Sequence, residues 1–171
     1  MDLLLTLGVI KRLREHTQQL ASRPAGRRDG TALRVGETVG DFRVTARNGR
    51  ELTPAGLPDG TVVAFFSPTC GPCEEKVPKF AAYARTLPMG ERQVVAVVVG
   101  DAAAAAPFAD LLTPVASVVV EEPDGALNSA FRVQAFPTVL QVGHGRDGGL
   151  VVTSEEAGLG IGGSSALPSA A

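Results

Sequence analysis

The sequence predicts an α/β fold in which helices flank a central mixed sheet. Apolar, strand-like segments alternate with helical ones from Thr61 onward, and such alternation is typical of strands that pair in parallel. The last two strand-like segments are separated only by the glycine-rich stretch Gly143–Gly149, which predicts an antiparallel hairpin. Parallel pairing in the middle and a terminal hairpin together predict a mixed sheet.

Each element has its own signal in the sequence. The strand segments are rich in valine and phenylalanine, whereas the helical segments repeat apolar residues at spacings of three and four. Asp101 is the predicted N-cap of the second helix. The predicted strands are Arg43–Ala46, Thr61–Phe66, Gln93–Val99, Val115–Val120, Thr138–Val142 and Leu150–Thr153. The predicted helices are Cys73–Leu87, Ala102–Leu112 and Gly125–Phe131.

The two ends of the chain differ from this domain in composition. Residues 1–21 are apolar and then basic and predict a helix, residues 22–34 predict a polar linker, and residues 35–156 form the predicted domain. Residues 157–171 are small, rich in glycine and serine, and predicted to be disordered. The apolar part of the first helix is far shorter than the roughly 20 residues of a membrane span.

That first helix has two interpretations. Residues 2–14 lie at a membrane surface or are the remnant of an anchor, or else the helix docks on a partner or on the domain itself. In the docking interpretation the contacts come from Ile10, Leu13 and Leu20. Both interpretations remain open at this point.

Composition limits the classes of function. The chain has 171 residues, 44% hydrophobic residues and a formal net charge of −2, which fits one globular domain with extensions. A near-neutral chain without tryptophan offers neither the charge nor the aromatic platforms for nucleic acid. The two cysteines do not decide the redox compartment, because a catalytic pair works in either.

Those two cysteines lie three positions apart, in the sequence Cys70-Gly71-Pro72-Cys73. A predicted strand precedes them and a helix follows, so Cys70 is expected beside unpaired N–H groups of the first helical turn, which favour a thiolate. Pro72 suits that turn because it has no N–H to leave unpaired. Cys73, one turn further along, is placed to attack a mixed disulfide on Cys70. The pair therefore predicts a dithiol/disulfide exchanger.

Two other uses of the pair are less favoured. Tetrahedral zinc needs about four ligands, and the two histidines, His16 and His144, are far apart and lack a ligand-like spacing. A purely structural disulfide that closes so small a loop would remove little entropy from the unfolded chain.

The stretch Val63–Phe80 resembles the active site of thioredoxin-fold proteins, and Cys-Gly-Pro-Cys is the tetrapeptide of thioredoxins themselves. A second match is Pro78, where thioredoxins carry a proline that kinks the active-site helix. A third is Phe136-Pro137, just before an apolar run. The resemblance implies a cis peptide bond before Pro137, with this proline facing the disulfide. It also implies that the backbone around Phe136 pairs with an extended substrate segment.

The start of the domain resembles one branch of this fold. Val35–Val44, followed by the hairpin signal Asn48-Gly49, is similar to the opening hairpin of TlpA-like proteins, which include the MauD type, and of the related AhpC/TSA–redoxin proteins. The resemblance covers about Val35–Thr153 and implies a membrane-associated thiol–disulfide oxidoreductase. The resemblance to this branch favours a location outside the cytoplasm. The basic residues after the apolar run of the first helix instead favour a cytoplasmic redox domain. The side of the membrane stays open, with a cytoplasmic protein as the alternative.

Three positions depart from the pattern of these families. Thr69 stands where thioredoxins usually have an aromatic residue, and Ala64 stands where they bury an aspartate that accepts a proton. Lys76 occupies the place of a glutamate found in many TlpA-like reductases. The proton acceptor for Cys73 is therefore not identified, and a lysine here would favour a thiolate.

The resemblance implies an enzyme that exchanges its dithiol with a disulfide in a protein substrate, acting as a reductase. Cys70 would be the attacking thiolate, Cys73 the resolving thiol and Pro137 the substrate-facing residue. A partner dithiol would supply electrons, with no metal or organic cofactor, and a monomer is expected. The expected surroundings of the pair are Thr69, Gly71, Pro72, Lys76 and Pro78.

Two alternative functions remain. In a peroxiredoxin-like antioxidant peroxidase, the peroxidatic cysteine aligns with Cys73 and a threonine precedes it by three positions. Here that earlier position is Cys70, which favours the dithiol interpretation. In a copper(I)-binding assembly factor, the pair would hold the metal, with His144 as a further ligand.

Overall fold

The computed structural model describes residues 32–155, so the predictions for residues 1–21 and 157–171 lie outside the described part. The strands are β1 Val44–Thr45, β2 Glu51–Leu52, β3 Thr61–Phe66, β4 Val94–Val99, β5 Ser117–Glu121, β6 Thr138–His144 and β7 Leu150–Glu155. The helices are α1 Gly71–Ala84, α2 Ala102–Leu112 and α3 Ala126–Ala130. Single 3₁₀ turns occur at Pro54–Gly56 and Gly90–Arg92.

Five strands form one mixed sheet in the order β5-β4-β3-β6-β7, which confirms the predicted fold class. β3, β4 and β5 are parallel, β6 runs antiparallel to β3, and β7 runs antiparallel to β6. The parallel strands therefore end at one edge of the sheet, which we call the carboxyl edge. The opposite edge, where they begin, is called the amino edge.

Both faces of the sheet are covered, because every residue of β3 is buried. Val62, Ala64 and Phe66 face a cluster that contains the apolar side chains of α1 and α2. Val63 and Phe65 face the opposite cluster, with α3 and the segment before β1. Burying one such side chain contributes about 1.5–3 kcal/mol, so the double cover makes β3 the centre of the core.

β1 and β2 form the antiparallel hairpin that Asn48-Gly49 predicts. Gly49 has φ +80°, a conformation that glycine adopts without a steric penalty, and the N–H of Ala46 donates to the carbonyl of Arg50 at 2.9 Å. The packing starts earlier than the predicted domain. Leu33, assigned to the linker from sequence, is 2% exposed, and its N–H donates to the carbonyl of Phe131 at 3.0 Å.

Several bounds differ from the prediction. α1 begins two residues early, at Gly71, and its last turn tightens, since Leu87 N–H donates to the carbonyl of Ala84, three residues back. α3 and β1 are shorter than predicted, and β4 and β5 begin one and two residues later. β6 and β7 are each two residues longer. β6 continues through Gly143 and His144, which pair with the start of β7, and β7 continues through Ser154 and Glu155, which pair with Gln141 and Leu140 of β6.

Candidate active site

The cysteine pair lies at the carboxyl edge, directly after β3. Cys70 is the N-cap of α1, with extended backbone, and its N–H donates to the carbonyl of Ser67 at 3.1 Å. Cys73 lies inside the first turn, where its N–H donates to the carbonyl of Cys70 at 3.0 Å. Both thiols are free; Cys70 is half-buried and Cys73 is fully buried. Cys70 is therefore the more accessible of the two thiols.

The environment of Cys73 favours the protonated thiol. Its side chain belongs to the apolar cluster beneath α1, together with Ala64 and Val77. Burial and a hydrogen bond with Cys70 raise the pKa of Cys73 to about 12, against the smaller opposing effects of the Ser67 backbone and the Lys76 ammonium. The thiol therefore stays protonated at neutral pH, and nothing acidic stands at position 64 to take its proton.

The loop before β6 reaches the same place from far along the chain. The Phe136–Pro137 peptide bond is cis, as the resemblance implies. The carbonyl of Phe136 accepts a hydrogen bond from Cys70 Sγ at 3.2 Å. Thr138 closes the loop, because its hydroxyl donates to the carbonyl of Ala135 at 2.7 Å. A backbone segment thus lies within contact distance of the more accessible thiol.

A hydroxyl pair beside the cysteines was missed from the sequence. The side-chain oxygens of Ser67 and Thr69 lie 3.1 Å apart, and the Thr69 N–H donates to the Ser67 hydroxyl at 3.4 Å. Ser67 is 7% exposed, whereas Thr69 is exposed. Serine two positions before threonine is a known local hydrogen-bonding pattern, and it could have been noticed. The pair fixes the turn that leads into Cys70.

The other residues expected around the pair all lie on α1. Gly71 and Pro72 are exposed in its first turn, and Pro78 is exposed in its interior. Lys76 is half-buried, one turn beyond Cys73. The positive charge of Lys76 lowers the pKa of Cys73, but by less than burial raises it.

His144 does not join the cysteines. In the pairing of β6 with β3, Thr138 faces Phe65 and Val142 faces Thr61, so His144 lies at the amino edge. Six residues of strand place it about 20 Å from Thr138. There it binds Asp59, with 2.9 Å between His144 Nδ1 and Asp59 Oδ1. Hydrogen bonds from the His144 backbone and side chain lower the pKa of Asp59.

The described part of the chain contains neither a cluster of metal ligands nor a membrane-spanning helix. Within residues 32–155, no three histidine, cysteine, aspartate or glutamate side chains come together as metal ligands would. Within the same range, no helix has the length and apolar character needed to cross a membrane. The predicted membrane contact at residues 2–14 lies outside this range and stays a prediction.

Comparison with known proteins identifies the fold. No family model matches the sequence, and no curated protein matches it. Among solved structures, the thioredoxin domain of a Bacteroides vulgatus thiol-disulfide oxidoreductase matches with a TM-score of 0.54 at 13% identity, covering 72% of this chain and 89% of that one. A thiol:disulfide interchange protein of the thioredoxin family from Chlorobium tepidum matches with 0.52 at 19% identity, covering 74% and 88%.

A third similar structure is a thio-disulfide isomerase from Thermus thermophilus, with a TM-score of 0.51 at 16% identity, covering 74% of this chain and 89% of that one. These three similarities each cover more than 70% of the chain. The protein therefore has the thioredoxin-like fold, as the sequence resemblance implies.

Proposed function

We propose that the protein is a TlpA-like thiol–disulfide oxidoreductase that reduces disulfides in a protein substrate. The observation that carries this proposal is the asymmetry of the two thiols. Cys70 is accessible at the N-terminus of α1, and Cys73 is buried one turn behind it with its pKa raised to about 12. One thiol can meet a substrate and the other is held back for an intramolecular step.

The reaction runs in two exchanges. The Cys70 thiolate attacks one sulfur of the substrate disulfide, a bond forms between these sulfurs, and the second substrate sulfur leaves as a thiolate. Cys73 then loses its proton and attacks Cys70 Sγ, which forms the Cys70–Cys73 disulfide and releases the first substrate sulfur. Two electrons and two protons pass to the substrate, and a partner dithiol restores the pair by the reverse exchanges.

The loop before β6 is proposed as the substrate-binding segment. Its Phe136 carbonyl accepts from Cys70 Sγ, so an extended substrate segment bound at Phe136 and Pro137 would bring its disulfide to Cys70. The proton of Cys73 has no carboxylate acceptor at position 64. The departing substrate thiolate is therefore the proposed acceptor, assisted by the positive charge of Lys76.

The structure gives less support to the alternatives. A peroxidatic thiol at Cys73 would need access to peroxide and a thiolate at neutral pH, whereas Cys73 is fully buried with a raised pKa. The copper(I) alternative needs a further ligand, and His144 is bound to Asp59 at the opposite edge of the sheet. A monomer, and membrane association through residues 2–14 rather than a cytoplasmic location, complete the proposal.

Insulin reduction in the presence of a dithiol donor tests the activity. Wild type should accelerate insulin precipitation, and Cys70→Ser and Cys73→Ser should each abolish turnover. Arg146→Gln, a change on the exposed turn after β6, is the matched control and should retain full activity. Turnover that persists in Cys73→Ser would contradict the dithiol mechanism.

The direction of exchange is tested by equilibrium with glutathione. We expect a reduction potential between roughly −270 and −200 mV, the reducing part of the range for this fold. Lys76→Glu should make the potential more negative, because it removes a cation that favours the reduced, thiolate form. A potential near −120 mV, typical of a strong oxidant, would instead indicate a protein that makes disulfides.

A further inference from the structure

A polar cleft lies at the amino edge of the sheet, away from the cysteines. It encloses about 610 Å³ between the β1–β2 turn, the 3₁₀ turn at Gly90–Arg92 and the start of β5. Because β4 is six residues long, the strand separates the cleft from the carboxyl edge by about 20 Å. The lining residues are Asn48, Gly49, Arg50, Glu91, Arg92 and Ser117.

Arg50 is held in this cleft by neutral oxygens. Its Nη1 donates to the carbonyl of Arg92 at 3.1 Å and approaches the Ser117 hydroxyl at 3.5 Å. The guanidinium has five N–H donors in a fixed fork, so most of them remain available. Because Arg50 is half-buried, its charge is partly removed from water, and within residues 32–155 no carboxylate forms an ion pair with it, which is unfavourable unless another group compensates.

Neighbouring arginines on the same part of the surface are paired differently. Arg43 forms an ion pair with Glu51, and Arg47 forms one with Asp110 at 2.9 Å. Within residues 32–155, neither Arg50 nor Arg92 forms an ion pair with a carboxylate. The cleft is therefore lined by two arginines, neither of which forms an ion pair within the described residues.

The floor of the cleft is rigid enough to orient these groups. Ser117 is fully buried, and its hydroxyl donates to the carbonyl of Glu91 at 3.3 Å. The Asn48 amide approaches the same hydroxyl at 3.4 Å. Ser117 thus connects the β1–β2 turn with the 3₁₀ turn, and Arg50 is positioned before any ligand arrives, which lowers the entropic cost of binding.

We propose that this cleft binds an oxyanion, a phosphate or carboxylate group, through Arg50 and Arg92. The guanidinium fork matches both groups in a bidentate geometry. Glu91 is exposed and also lines the cleft, and its negative charge opposes the binding of such a ligand and limits the affinity. The site is independent of the cysteine chemistry, so it assigns the amino edge of the sheet a binding role of its own.

Titration with inorganic phosphate and, separately, with acetate tests the proposal, with ionic strength held constant by chloride. Binding is followed by isothermal calorimetry and by the amide chemical shifts of the cleft. We expect saturable binding of at least one of the two anions. Phosphate binding alone would identify a phosphate site and acetate binding alone a carboxylate site, whereas no saturable binding of either would overturn the proposal.

Three variants and a control locate the binding. Arg50→Gln and Arg92→Gln should each weaken binding by about tenfold, the loss of a charge-assisted hydrogen bond. Glu91→Gln should strengthen it, and Arg146→Gln should leave it unchanged. Arg92 is exposed, so its replacement tests the site even if Arg50→Gln disturbs the fold. Affinity that is unaffected by Arg92→Gln and Glu91→Gln would refute this location.

Discussion

Raising the pH should destabilise the reduced protein through the Cys73 thiol. Cys73 has an ordinary pKa of 9.0, which folding raises to about 12. Below the ordinary value both states are protonated, so the folded state incurs no penalty there. Above it the unfolded chain releases the proton while the folded chain keeps it, so the free energy of unfolding falls as pH rises toward the folded pKa.

The expected size follows from this shift. Each pH unit between the two pKa values lowers the free energy of unfolding by about 1.36 kcal/mol. Between about pH 7 and pH 10 the loss attributable to Cys73 is therefore about 1.4 kcal/mol. That change is a substantial fraction of the total stability of a small domain, about 5–15 kcal/mol.

Urea unfolding of the reduced protein at both pH values measures the loss. Cys73→Ser lacks the titrating thiol. The difference in the free energy of unfolding between wild type and this variant should therefore change by about 1.4 kcal/mol between the two pH values, while contributions from other groups cancel. Cys70→Ser is the matched control, since it keeps Cys73 and should retain most of the pH dependence. Equal losses in wild type and Cys73→Ser would refute the burial of a protonated thiol.

Two other predictions concern stability away from the cysteines. Glu121 accepts hydrogen bonds from two N–H groups in the first turn of α3, and burial raises its pKa; a Cβ at Gly125 would clash with its carboxyl group. Gly125→Ala should therefore cost about 1–2 kcal/mol in urea unfolding, whereas Gly71→Ala, which meets open space, should cost little. Asp59→Asn should lower the melting temperature at neutral pH. The hydrogen bonds from His144 lower the pKa of Asp59. The difference in melting temperature between wild type and Asp59→Asn should therefore vanish as the pH falls through the pKa of Asp59 in the folded protein; a difference that stays constant with pH would contradict this role of Asp59.

The fold was predictable because its signals are local. β3 is a continuous apolar run, and α2 matches its predicted bounds because Asp101 caps it, accepting from the N–H groups of Ala103 and Ala104 at 3.0 and 3.2 Å. The lengths of β6 and β7 were not predictable from the same signals. Their last residues are strand only because each pairs with the other, and pairing is not visible in the composition of either segment.

The candidate site shows the same division. The spacing of Cys70 and Cys73 lies in four consecutive letters, and the strand before them and the helix after them predict that Cys70 lies at the first helical turn. The contact of Cys70 with Phe136, in contrast, joins positions 66 residues apart. Only the resemblance to a known family predicted it. The cleft around Arg50 and Ser117 had no signal in the sequence, because its groups converge from three separate segments.

In the proposed mechanism, Cys70 attacks the substrate disulfide and Cys73 resolves the mixed disulfide. Trapping of mixed disulfides tests it most directly: each single-cysteine variant, in its reduced form, is mixed with a model protein whose disulfide is intact, and the covalent complexes are identified by mass spectrometry. Cys73→Ser should accumulate a mixed disulfide through Cys70, because the resolving thiol is missing, and Cys70→Ser should accumulate none. Equal trapping by Cys70→Ser would show that Cys73 can meet substrate and would contradict the account.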